Sequence, residues 1–190
     1  MAELLGVLSA FGLSASAGLN AYIPLLVVAL LARFTNLLTL QSPWDALSSW
    51  WVIGVLAFLS LIEALADKIP AVNHVNDLIQ SLVRPVAGAI VFAASAEVVT
   101  DVHPVLSLVL GLLVSGGVNA VKTLAVRPAV TATTGGAGNV PVSMAEDLVS
   151  TVVSLLSVIV PVVIACFLVL LTAWIIWRLY RRARREQYTP

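Results

Sequence analysis

"RPAVTATTGGAGNVPVSMAED" runs from Arg127 to Asp147 and holds three threonines, three glycines and two prolines. It lies between two strongly apolar runs, "VLSLVLGLLVSGGVNAV" (Val105–Val121) and "LVSTVVSLLSVIVPVVIACFLVLL" (Leu148–Leu171). Its reading decides how often the chain changes sides in a lipid bilayer. Gly and Pro break regular structure, so the segment is expected to be irregular or broken backbone. Irregular backbone survives at membrane depth only where protein buries it or water lines it. About ten extended residues could cross the hydrocarbon core.

The rest of the chain supplies that bilayer. Of 190 residues, 60% are hydrophobic and 11% charged, with a mean hydropathy of +1.04. A soluble domain this apolar would expose aggregating surface, so the composition specifies an integral membrane protein. Apolar stretches at about 4–33, 50–66, 79–99, 104–126 and 148–177 are the candidate spans. The first begins like a signal peptide, but Glu3 precedes the apolar run and hydrophobicity resumes at once, so it reads as a retained span. Trp50 and Trp51 open the second and suit an interfacial belt. These stretches form one membrane domain, 1–178, followed by a basic tail, 179–190.

Net charge is zero, yet five of the ten basic residues are Arg178, Arg181, Arg182, Arg184 and Arg185. That block places the C-terminus in the cytoplasm by the positive-inside rule. With five plain spans, Lys68, Arg84, Lys122 and Arg127 would all fall outside. If the Thr/Gly segment also crosses, they become cytoplasmic. A loop that dips in and returns restores five spans and stays open.

The chain also repeats itself. Gly12, Leu13, Ser16, Gly18, Asn20 and Ala21 recur 99 positions later as Gly111, Leu112, Ser115, Gly117, Asn119 and Ala120. Pro70 and Asp77 in "IPAVNHVNDLIQSL" match Pro141 and Asp147 in "VPVSMAEDLVSTVV". Two matches in the same order indicate a duplication, with half-repeats of about 1–100 and 101–178. A crossing Thr/Gly segment would make the halves inverted, and inverted repeats place sites where the halves meet.

The polar residues carry two readings each. Asn20 and Asn119 either glue helices packed through Gly and Ser or unwind them locally and free carbonyls for a ligand; packing is slightly favoured for each alone. Glu63 and Asp67 share a helix face beside Lys68 and could be a solvated helix end. Asp77, Glu146 and Asp147 open apolar helices, and "SMAE" (Ser143–Glu146) fits a capping box, so capping is favoured over ion binding or proton coupling. Arg84-Pro85 and Arg127-Pro128 either anchor helices at head groups or, with Lys68 and Lys122, line an anion site. Thr131, Thr133, Thr134 and Asn139 would add hydroxyl, amide and backbone contacts to the same anion. His74 lacks a second histidine close by, and Cys166 is alone, so no metal site is expected. No catalytic constellation, nucleotide fingerprint or cofactor motif emerges, and a nucleic-acid role is not expected.

"SASAGLNAYIPLL", "EALADKIPAVNHVNDLIQSLVRPVAGA" and "RPAVTATTGGAGNVPVSMAED" resemble a family of bacterial integral membrane proteins described as domain of unknown function 4126. The resemblance covers most of the chain except the tail. It implies an inner-membrane protein and brings no activity or site.

The expectation is an all-α polytopic bundle of about five helices plus the broken Thr/Gly segment. Its function is expected to be transport of a small anionic, phosphate-bearing solute or lipid head group. A channel and a non-transporting envelope scaffold are the alternatives, the scaffold being favoured if the polar residues pair fully with one another. Membrane lipids are the expected partners, and a homodimer is reasonable for so small a chain.

Overall fold

The computed structural model describes residues 2–66, 70–96 and 102–160, and these contain helices and turns but no strand. In order they form α1 (Ala2–Leu19), α2 (Tyr22–Phe34), a 3₁₀ turn (Trp44–Ser48), α3 (Trp50–Ala66), α4 (Pro70–Ala96) and α5 (Pro104–Val121). A π-helical turn (Lys122–Val126) leads into α6 (Arg127–Thr134), and α7 runs over Asn139–Val160. Among the described residues, three helical stretches are long and apolar enough to cross a membrane: Asn76–Ala96, Pro104–Thr134 and Asn139–Val160. Gly6–Leu19, α2 and α3 are apolar but shorter. Lys68, Asp67, Cys166 and the arginine tail lie outside the described residues.

The Thr/Gly segment corrects the expectation of irregular backbone. Helix continues through it to Thr134, turns over residues 135–138 and resumes at Asn139. Threonine is tolerated because its hydroxyl can bond a carbonyl one turn back. Thr133 Oγ1 donates to Ala129 O at 2.8 Å, and Thr134 Oγ1 donates to Val130 O at 2.6 Å. Gly135, at φ 62°, caps the helix in the left-handed conformation, and Gly136 follows at φ 92°. Pro141 sits in the first turn of α7, where its missing N–H leaves no helical bond unmade. Because α7 begins at Asn139, Glu146 and Asp147 lie inside it and "SMAE" is not its cap. Asp77 likewise lies inside α4 rather than at its start.

The continuous 31-residue stretch from Pro104 to Thr134 rises about 46 Å. That exceeds a hydrocarbon core of about 30 Å even at a tilt of about 40°. The polar α6 tip is the end with the residues suited to lie beyond it.

The first expected span is divided. α1 stops at Leu19, and Asn20 Oδ1 accepts hydrogen bonds from Tyr22 N and Ile23 N, both at 3.0 Å, capping the start of α2. Pro24 then falls in the first turn of α2, where it costs little. α2 packs on α3, and Arg33 lies 5.1 Å over the exposed Trp50 ring.

α1, α4 and α5 make the closest packing, through small residues. A Cβ at Gly111 would lie 2.5 Å from Gly88 O and 2.7 Å from Ala89 Cα, which is backbone that cannot step aside. A Cβ at Gly18 would meet Ser115 O at 2.6 Å. Without a hydrophobic force between helices in lipid, such close approach is what holds them. Gly111→Val is therefore expected to lower stability by about 3 kcal/mol, read as a reduced midpoint in thermal unfolding of the detergent-solubilised protein.

Candidate functional site

Among the described residues, the paired charged side chains and the two matched asparagines fall into three groups, the first on α3, α4 and α5 and the others between α7 and the ends of α1, α5 and α6. In the first, Arg84 is fully buried and its Nη2 donates to Glu63 Oε1 at 3.1 Å. Its Nη1 donates to Asn119 Oδ1 at 3.2 Å and lies 3.9 Å from Asp77 Oδ1. Glu63, 2% exposed, is thus no solvated helix end. Arg84 is no head-group anchor either, because a charge at depth must be paired. Pro85 does not end the helix; α4 continues through it.

In the second group Asn20 Nδ2 donates to Asp147 Oδ1 at 2.9 Å. Both matched asparagines therefore meet an acidic region of the chain, Asn20 directly and Asn119 through Arg84. The serines follow the same scheme. Ser16 Oγ lies 2.7 Å from Ser154 Oγ, and Ser115 Oγ donates to Arg84 O at 2.7 Å. Position 154 stands to Asp147 as 84 stands to Asp77.

The third group surrounds the π-helical turn. On an ordinary α-helix, residues five apart point about 140° from each other. Bonding from i to i+5 brings the fifth residue nearly over the first, and here Arg127 N donates to Lys122 O. Lys122 and Arg127 consequently reach one acceptor: Glu146 Oε2 lies 2.9 Å from Lys122 Nζ and 2.9 Å from Arg127 Nη2. Lys122 Nζ also donates to Leu19 O at 2.9 Å, a carbonyl made available by the break at Asn20.

Arg127 leaves more unmade than Arg84, whose Nε alone is buried without a hydrogen-bond partner. It is 7% exposed, and its Nε and Nη1 are buried with no hydrogen-bond partner. The side chain lines a cavity of about 500 Å³ with Asp77, Thr123, Pro128, Thr131, Ala132 and Asn139. Thr131 Oγ1 and the Asn139 side-chain amide are within hydrogen-bond distance of each other, at 3.1–3.2 Å. A planar guanidinium with two unmet donor nitrogens near hydroxyl and amide groups has the chemistry to hold a carboxylate or phosphate.

Of the expected site residues, the cavity gathers Arg127, Thr131, Asn139 and Asp77, with Glu146 behind Arg127. Arg84 and Asn119 form the separate buried group, as do Asn20 and Asp147. Thr133 and Thr134 are exposed and bond their own helix. Lys122 lines a different space, an apolar groove of about 580 Å³. Sequence reading missed Thr123, although Thr123, Arg127 and Thr131 recur every fourth residue and mark a polar stripe on an apolar helix.

No curated protein and no solved structure matches the chain. A family model does match, over residues 7–182, across all three polar groups. The chain belongs to the family described as domain of unknown function (DUF4126).

Proposed function

We propose that this is a small membrane transporter whose cargo is an anionic, phosphate-bearing solute or lipid head group held by Arg127. One observation carries the reading: Arg127, more than nine-tenths buried, keeps two donor nitrogens without a protein partner and lines a cavity of about 500 Å³. Leaving buried donors unmet is costly, so their retention is best explained by a ligand that meets them. Asp77 on the cavity wall balances charge there.

The duplication supports the same reading. Asn20 with Asp147 and Ser16 with Ser154 correspond to Asn119 with Arg84–Asp77 and Ser115 with Arg84. Matched positions of the two proposed halves thus lie against one another, as they would in a repeat-built transporter around a central site. Arg84, Lys122 and Arg127 are buried and each faces a carboxylate. They therefore do not act as free surface charges, and their side of the membrane no longer requires an extra crossing. The basic tail remains the support for a cytoplasmic C-terminus in an inner membrane. Extensive pairing in the Arg84 and Asn20 groups favours the scaffold as second reading.

Counterflow of labelled phosphate monoesters into proteoliposomes tests the proposal. Wild type is expected to exchange label at least about tenfold faster than Arg127→Gln, with Arg127→Lys between them. Folded protein that exchanges no faster than empty liposomes would leave the scaffold.

A further inference from the structure

We infer that the ligand is zwitterionic: a phosphate at Arg127 joined by a short linker to an ammonium group at Asp77. This rests on the anion site proposed above and names the class of phosphate it takes. Both residues line the same cavity of about 500 Å³, a size usual for small-molecule sites. Arg127 brings two donor nitrogens without a partner, Nε and Nη1. Asp77 brings the opposite need. Its Oδ1 is buried and accepts no hydrogen bond, and its 3.9 Å contact with Arg84 Nη1 is an ion pair too long to be one. Arg84 Nη1 donates instead to Asn119 Oδ1, and Nη2 to Glu63 Oε1.

The charges around the cavity are divided in the same sense. Arg84 stands with two carboxylates, Glu63 and Asp77, so that group is formally negative. Glu146 stands with two cations, Lys122 and Arg127, so that group is formally positive. The cavity touches the negative group at Asp77 and the positive one at Arg127. A simple anion would satisfy Arg127 but share the cavity with a carboxylate, an unfavourable juxtaposition. A simple cation would leave the guanidinium unmet. An ammonium-bearing phosphate meets both, donating to Asp77 and accepting from Arg127. Asp77 thereby selects against phosphates that lack the ammonium.

Calorimetry on the full chain in a sugar-headed detergent would compare aminoethyl and aminopropyl phosphate with propyl phosphate. The last puts a methyl where aminoethyl phosphate has its ammonium. The better amino ester is expected to bind wild type at least about tenfold more tightly than propyl phosphate. Asp77→Asn should bring that ratio close to one, weakening the amino ester and tightening propyl phosphate. Asp77→Glu keeps the carboxylate and should keep the preference, and Arg127→Gln should weaken all three. Glycerophosphoethanolamine, a lipid head group without its chains, separates the two sources of the same chemistry. Tighter binding than aminoethyl phosphate assigns the site to a lipid head group, weaker binding to a free solute, and either upholds the ammonium. Equal affinity of wild type for amino and alkyl phosphates, or a preference that survives Asp77→Asn, overturns the zwitterion and leaves the anion site standing. Failure of wild type to bind any of the four overturns the anion site itself.

Discussion

Glu63→Leu, made with Arg84 in place, is expected to lower the unfolding free energy by about 3–5 kcal/mol. The reason is asymmetry in burial. Arg84 has no exposed surface, and its Nη2 rests on Glu63 Oε1 at 3.1 Å. Without that carboxylate the guanidinium keeps Asn119 and the more distant Asp77, at 3.9 Å. A charge cannot leave the bundle for water, so the loss appears in stability. Removing both charges should do less harm than removing one: Glu63→Leu with Arg84→Met is expected to fall within about 2 kcal/mol of wild type. Equilibrium unfolding in mixed micelles would measure wild type, both single variants and the double variant. A double variant as unstable as the sum of its singles would mean that the pair is not coupled.

Glu146→Gln is expected to do something a structural residue would not: strengthen anion binding while weakening the fold. One oxygen, Oε2, serves both Lys122 Nζ and Arg127 Nη2 at 2.9 Å. It is the protein's own anion at the site and competes with any incoming one. A hydrogen bond to a charged group contributes about 1.5–3 kcal/mol, and about 1.4 kcal/mol is tenfold in affinity. Phosphate should therefore bind Glu146→Gln about tenfold more tightly than wild type. Arg127→Gln should lose binding by a similar factor or more. Calorimetric titration of the two variants gives opposite signs if Arg127 is the anion's contact. If Glu146 only fastens helices, its variant melts lower and phosphate affinity does not rise.

Much of the architecture follows from side-chain polarity counted along the chain. Apolar runs mark the helices, and α3 begins and ends at the expected residues, 50 and 66. Gly and Ser in both repeats mark the close crossings of α1 with α5 and α7. The break at Asn20 is also legible, because an Asn followed by Pro24 can cap a new helix but cannot easily continue the old one. The Thr/Gly segment was harder. Threonine hydroxyls that bond their own helix look, in sequence, like hydroxyls waiting for a ligand. The difference lies in whether a carbonyl one turn back is in reach.

Sequence alone determined that this protein is helical and apolar enough for lipid, and it showed a recurring Gly/Ser/Asn pattern and Arg127 among its few charges. It singled out the residues proposed for the site, because in so apolar a chain almost every ionisable group stands out. It could not assign partners. Glu63 with Arg84, Asn20 with Asp147, and Glu146 with two cations join residues 21, 127, 24 and 19 positions apart. Only tertiary packing decides those distances, and with them which arginine is spent on its own protein. Arg84 and Arg127 read alike before proline; one meets two carboxylates and an amide and leaves a single donor nitrogen unmet, and the other leaves two unmet and lines a cavity. The π-helical turn that brings Lys122 and Arg127 to one carboxylate is likewise a change of backbone hydrogen bonding that no residue pattern announces.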